Sequence, residues 1–116
     1  MITCFLQYEL APGKTAEFEH YARTWAVIIK SVGGIYHGCF LPGPQPADAR
    51  QFSHASGRSG RKDVAVVLFS FADMAAYERY RRESALDPDC GPITEFYRDT
   101  QCFTGYERSF LTPLEI

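Results

Sequence analysis

The chain has 116 residues, close to the usual size of one folded domain, and 46% of them are hydrophobic. This share of apolar residues excludes an intrinsically disordered chain and is enough to form one hydrophobic core. Twelve basic and 14 acidic side chains give a formal net charge of −2, so no positive field attracts nucleic acid or an anionic membrane.

The cysteines are scattered along the chain and form no Cys-x-x-Cys pair, which predicts a reduced, intracellular protein. The N-terminal stretch "MITCFLQYEL" lacks a basic first segment and a small-residue cleavage site, so it does not have the pattern of a signal peptide. No apolar run reaches the roughly 20 residues that span a bilayer. We therefore expect a cytoplasmic protein without a membrane partner.

Residues 2–10 alternate between apolar and mostly polar side chains, which predicts a β-strand. From Lys14 the apolar residues recur every three or four positions, which predicts a helix that ends at Gly33 and Gly34. The next segment, "IYHGCFL", predicts a second strand that stops at Pro42.

Residues 42–62 are rich in proline, glycine and serine, and they predict a flexible insertion. The valine-rich run "DVAVVLFSF" that follows predicts a central strand covered on both faces. Asp73 is expected to cap a second helix, which "DPDCGP" then interrupts. A short third helix and a last strand over residues 102–111 complete the chain.

This order of elements is typical of an α+β, ferredoxin-like split β-α-β fold with a four-stranded antiparallel sheet. We expect one domain over residues 1–116. Helices on one face leave the other face open, yet both alternating sets of side chains in the third strand are apolar. An apolar sheet of this size most readily obtains its second cover from its own copy, which predicts a homodimer.

Three blocks of the sequence together resemble the NIPSNAP family of the dimeric α+β barrel superfamily: "GGIYHGCFLPG", "VLFSFADMAAYERYRRESALDPDC" and "YERSFLTP". The resemblance covers nearly the whole chain. It implies a ferredoxin-like protomer whose sheet packs on a partner's sheet to close a barrel. It also implies relatives that include cofactor-free monooxygenases, isomerases of small unsaturated acids and haem enzymes.

Few side chains are placed for chemistry. His37 is the one histidine in a predicted strand, and a neutral imidazole can both donate and accept a proton near pH 7, so His37 is the candidate catalytic residue. It can equally be a strand residue bonded to a neighbour. Its strand alternates as Ile35, His37, Cys39 or as Tyr36, Gly38, Phe40, and either set can face the helices.

The segment "YERYRR" places Tyr77 and Arg81 on one side of the second helix, where an inward arginine can hold a substrate carboxylate. We therefore predict a ligand site that includes Tyr36, His37, Tyr77 and Arg81. Glu107 and Arg108 lie on opposite faces of the last strand, and we expect each to pair with a charge on a neighbouring strand. The histidines have no ligand-type spacing, so we expect no metal and no dedicated cofactor.

Two interpretations remain. The first is a NIPSNAP-like homodimer that binds a small apolar or aromatic ligand. The second is a cofactor-independent, monooxygenase-like or isomerase-like enzyme that uses His37.

Overall fold

The structure, a computed structural model, describes residues 1–46 and 56–116. Seven elements follow one another in the order β1 (Ile2–Leu10), α1 (Thr15–Ser31), β2 (Ile35–Phe40), β3 (Val64–Phe71), α2 (Met74–Ser84), α3 (Cys90–Thr100) and β4 (Phe103–Leu111). The predicted order of strands and helices is confirmed, and the strand ends agree within one residue. The expected break between the last two helices is shorter, because α3 already begins at Cys90.

The strands form one sheet in the order β2-β3-β1-β4, and every neighbouring pair is antiparallel. This is the ferredoxin-like α+β arrangement that the sequence predicts. Alternation sorts the side chains of β1: Cys4 and Leu6 are buried under the helices, while Thr3 and Phe5 face the other way. We call these two surfaces the helix face and the open face of the sheet.

The core lies between the helix face and the helices. Ile29 of α1 and Tyr77 and Tyr80 of α2 pack with the buried side chains of β1 and β3. A second cluster joins Phe18 and Ala22 of α1 to the start of β4. The apolar stripe predicted for α1 therefore provides much of the contact between helix and sheet.

The helix ends follow the expected capping rules. Asp73 Oδ1 accepts a hydrogen bond from the Ala76 amide at 2.8 Å, which confirms the predicted N-cap of α2. At the end of α1, Gly33 has φ of 88°, and the amides of Gly33 and Gly34 donate to the carbonyls of Lys30 and Ile29. This is a Schellman motif, and it turns the chain directly into β2.

A β-bulge in β2 decides which face each of its residues takes. Tyr36 lies opposite Phe69 and Gly38 opposite Leu68, so His37 is an extra residue without a partner in the register. Gly38 has φ of 143°, a value that favours glycine. Neither simple alternation of the strand is therefore present.

The open face carries a group of neighbouring apolar side chains. Phe5 lies opposite Leu68, and Phe40 opposite Val66, all on this side of the sheet. Ile35, Phe40 and Leu111 are about half exposed, at 48%, 54% and 46%. The sheet thus has apolar side chains on both faces, as the third strand predicts.

The predicted insertion at about 42–62 falls partly outside the described residues, since 47–55 are not among them. Residues 42–46 and 56–62 contain neither helix nor strand. Arg61 bridges Glu9 and Asp63 at 3.0 and 2.6 Å, so the end of this segment is tied to the start of β3. None of the helices in the described ranges is both long and apolar enough to cross a membrane.

Candidate ligand site

A cavity of about 80 Å³ lies between the helix face of the sheet and helices α1 and α2. We call it the helix-side cavity. Leu6, Val67 and Phe69 line it from the sheet, and Ala22 and Ile29 line it from α1. These five side chains are all buried, so much of the wall is apolar.

Aromatic residues with polar ends line the rest of the cavity: Tyr8, Tyr21, Trp25, Tyr36 and Tyr80. Edge-to-face contacts pack two of these rings against the core, with centroids 4.8 Å apart for Tyr8 and Phe103 and 5.8 Å apart for Tyr80 and Phe69. The wall is therefore preformed by packing between elements that are distant in sequence.

Most polar ends of these aromatic residues lack partners within the part of the chain that the structure describes. The hydroxyls of Tyr8, Tyr36 and Tyr80 make no hydrogen bond there. Trp25 Nε1 is buried without a hydrogen bond of good geometry, although it lies near enough to Tyr21 to lower the pKa of that phenol through a side-chain hydrogen bond, against a larger rise caused by burial. Buried polar groups are normally well paired, so an indole N–H in this state at a cavity wall indicates a place where a guest can be held.

The titratable groups at this cavity hold their protons at neutral pH. Burial raises the pKa of Tyr21 and of Tyr36 to about 12 and also raises the pKa of Tyr8 and Tyr80. Burial likewise raises the pKa of the Cys4 thiol, which packs in the same core. The phenols thus act as hydrogen-bond donors and not as bases.

Arg81 of α2 and Arg108 of β4 also line the cavity, and they are the two exposed residues among those that do. The cavity therefore opens to solvent where these two guanidinium groups lie. Neither arginine forms an ion pair within residues 1–46 and 56–116.

A family model described as NIPSNAP matches residues 4–116, which is nearly the whole chain. The chain belongs to the NIPSNAP family. Among curated protein sequences, none is similar enough to count as a match.

Solved structures similar to this NIPSNAP protein include family members and monooxygenase-like folds. Protein Atu4242 from Agrobacterium tumefaciens is 17% identical, with a TM-score of 0.72 over 98% of this chain and 94% of that one. An uncharacterised NIPSNAP domain protein from Burkholderia xenovorans is 19% identical, with a TM-score of 0.70 over 98% and 95%. SnoaB, a cofactor-independent oxygenase from Streptomyces nogalater, is 15% identical, with a TM-score of 0.58 over 99% and 94%. At these identities the likeness concerns the fold alone.

The structure brings two of the four predicted site residues to the helix-side cavity, namely Tyr36 and Arg81. Tyr77 packs beside them, with its ring 5.1 Å from that of Phe110, but it does not line the cavity. His37 lies on the open face, where its Nε2 is 2.7 Å from Ser70 Oγ. A role for His37 in a ligand site thus concerns the other side of the sheet, and it stays a prediction.

The ion pairing expected for Glu107 and Arg108 was wrong, since neither is paired within the described residues. The register explains this for Arg108: it lies opposite the apolar Leu6, and its guanidinium is 5.4 Å from the centroid of the Tyr106 ring. Sequence reasoning also missed Tyr21 and Trp25 as site residues, because their helical spacing reads as ordinary core.

A second cavity of about 210 Å³ adjoins the first, and Ala22 and Tyr36 line both. Tyr36 therefore borders two spaces on this side of the sheet. In the described part of the chain, no group of three or more histidine, cysteine or acidic residues is placed to hold a metal ion.

Proposed function

We propose that this NIPSNAP protein is a homodimer that binds a small apolar or aromatic molecule in the helix-side cavity of each protomer. The observation that carries the proposal is the buried Trp25 Nε1, which lacks a hydrogen bond of good geometry, together with the four phenols around an apolar space that opens to solvent. A ring compound with one polar group matches both features, since its ring fits the apolar wall and its polar group accepts a hydrogen bond.

Binding has more support than catalysis from the residues at this cavity. A proton-transfer mechanism needs a group that takes a proton near neutral pH. The phenols of Tyr8, Tyr21, Tyr36 and Tyr80 have raised pKa values, and His37 lies across the sheet. The groups around the cavity thus offer donors and positive charge.

The open face supports the homodimer. Phe5, Leu68, Val66 and Phe40 form an apolar surface that the chain's own helices leave uncovered, because these pack on the opposite face. Contiguous apolar surface of this kind is typical of an interface. A two-fold axis would place the same surface of a second copy against it.

Binding in the cavity can be tested with benzamide, a neutral ring compound with one polar group. Trp25 is the one tryptophan of the chain and lines the cavity, so its fluorescence reports occupancy. Ala22→Leu adds bulk at the cavity wall. Ala26→Leu is the matched control, because Ala26 lies one helical turn further on and lines only the second cavity.

We expect benzamide to change the Trp25 fluorescence saturably in the unmodified protein and in Ala26→Leu, and to lose at least about tenfold in affinity in Ala22→Leu. Thermal melts of both variants verify that they fold. Equal affinity in all three proteins, or no saturable change in any, would contradict the proposed site.

A further inference from the structure

The mouth of the helix-side cavity carries an unbalanced charge. Arg81 and Arg108 are its two exposed lining residues, and they come from α2 and β4, which are separate in sequence. No carboxylate within the described ranges comes close enough to either guanidinium to form an ion pair. Two positive charges thus stand at the entrance without a paired carboxylate among the described residues.

The two charges act at the same place. Both arginines lower the pKa of Cys4, of Tyr77 and of Tyr80, each against a larger rise caused by burial. The two guanidinium groups line one cavity and influence the same three side chains, so they lie on the same side of it. Like charges brought together without a counterion repel each other, and an anion placed between them relieves that repulsion.

The size of the cavity decides where such an anion lies. An apolar protein cavity of about 150 Å³ can hold a benzene ring. The helix-side cavity has about 80 Å³, so a ring enters only in part and its substituent stays near the mouth. A guanidinium is a planar fork of donors that matches the two oxygens of a carboxylate.

We propose that the ligand is an aromatic carboxylate, with its ring partly inside the cavity and its carboxylate held between Arg81 and Arg108. This inference rests on the proposed binding function of the cavity and adds the chemical class of the ligand. The phenols and Trp25 then lie around the part of the ring inside the cavity, and the arginines supply the charge at the mouth. Both features of the wall are used by one molecule.

Three probes separate the ring from the charge: benzoate has both, benzamide has the ring without the charge, and acetate has the charge without the ring. Each is titrated against Trp25 fluorescence and, independently, against the melting temperature. We expect benzoate to bind at least about tenfold more tightly than benzamide and than acetate, since a charge-assisted pair of hydrogen bonds is stronger than a neutral one.

The arginines are tested with Arg81→Gln and Arg108→Gln. Arg82→Gln is the matched control, because Arg82 is also exposed and adjacent to Arg81 but does not line the cavity. We expect each of the first two variants to lose about tenfold in benzoate affinity and to keep benzamide affinity within about twofold, and the control to keep both. Since all three positions are exposed, the variants should fold.

The outcomes distinguish this inference from the proposed function. Equal binding of benzoate and benzamide would overturn the carboxylate site and leave the cavity function standing. Equal binding of acetate and benzoate would leave an anion site without a role for the cavity. An equal loss of benzoate affinity in Arg82→Gln would show that the effect comes from general surface charge and would overturn the carboxylate site. No response to any of the three probes would overturn both proposals.

Discussion

Leu68 lies near the middle of the open face, and replacing it with glutamate should dissociate the proposed homodimer. Leu68 is opposite Phe5 on β1 and Gly38 on β2, and it is half-buried in one protomer. Full burial of a leucine side chain contributes about 1.5–3 kcal/mol, so the part left for association is about 1 kcal/mol per copy. In a two-fold symmetric dimer Leu68 contributes from both copies, so this free energy enters twice.

The carboxylate adds a larger penalty than the lost apolar contact. Burying a charge without a partner costs several kcal/mol per ion after relaxation. Two copies of Leu68→Glu should therefore weaken the dimer by at least about 4 kcal/mol, which is about a thousandfold in the dissociation constant. The control is Leu86→Glu, because Leu86 is 84% exposed at the end of α2, away from the sheet.

Light scattering and sedimentation measure the mass as a function of concentration, and circular dichroism verifies the fold. We expect the unmodified protein and Leu86→Glu to have twice the 13.1 kDa of one chain, and Leu68→Glu to have one chain's mass over the same concentrations. A folded Leu68→Glu that dimerises as tightly as the unmodified protein would refute the open-face interface. An unmodified protein that is monomeric throughout would refute the dimer itself.

Four further outcomes are expected. Gly34→Ala should lower the free energy of unfolding by about 1–3 kcal/mol, because the added Cβ would lie 2.8 Å from the Ile29 carbonyl oxygen. Gly91→Ala is the control and should lose none, because the space around Gly91 is open. Thermal melts compare the two variants. His37→Ala should lower the melting temperature by a few degrees, because it removes the 2.7 Å hydrogen bond between His37 Nε2 and Ser70 Oγ. The affinity for benzamide should stay the same. A loss of affinity would show that His37 belongs to the ligand site. Burial raises the pKa of Tyr21 and of Tyr36 to about 12, against 10.0 for a free phenol, so the stability linked to these groups should be full below pH 10 and fall from there to pH 12. A melting temperature that does not fall between pH 10 and pH 12 would contradict this. Tyr36→Ala should join the two cavities and favour naphthoate over benzoate in the Trp25 titration, and an unchanged preference would show that the spaces stay separate.

Most of the fold was predictable because local patterns determine it. The alternation of β1, the apolar stripe of α1 and the cap at Asp73 each depend on residues close together in the chain. Apolar residues at both alternating sets of positions in β3 also predicted that the second face of the sheet has apolar side chains. These features can be predicted without knowing which helices and strands pack against each other.

The site was less predictable because it depends on register and on one irregularity. The bulge at His37 shifts the strand by one residue, which places Tyr36 and Cys39 on the helix face and Gly38 and Phe40 on the open face. Periodicity alone offers two alternations and does not reveal a bulge. Arg108 shows the same limit, since its face follows from its position opposite Leu6 on another strand.

The alternation of the sheet also separates the two proposed roles of the chain. Neighbouring residues such as Phe5 and Leu6 serve opposite faces, one the proposed interface and the other the cavity. The cavity lies on the helix side of the sheet, and both arginines at its mouth are on that side. A dimer formed through the open face would therefore place its interface across the sheet from the cavity. The Leu68→Glu monomer and the Arg81→Gln dimer should each lose one property and keep the other, because the two surfaces share only the backbone of the sheet between them.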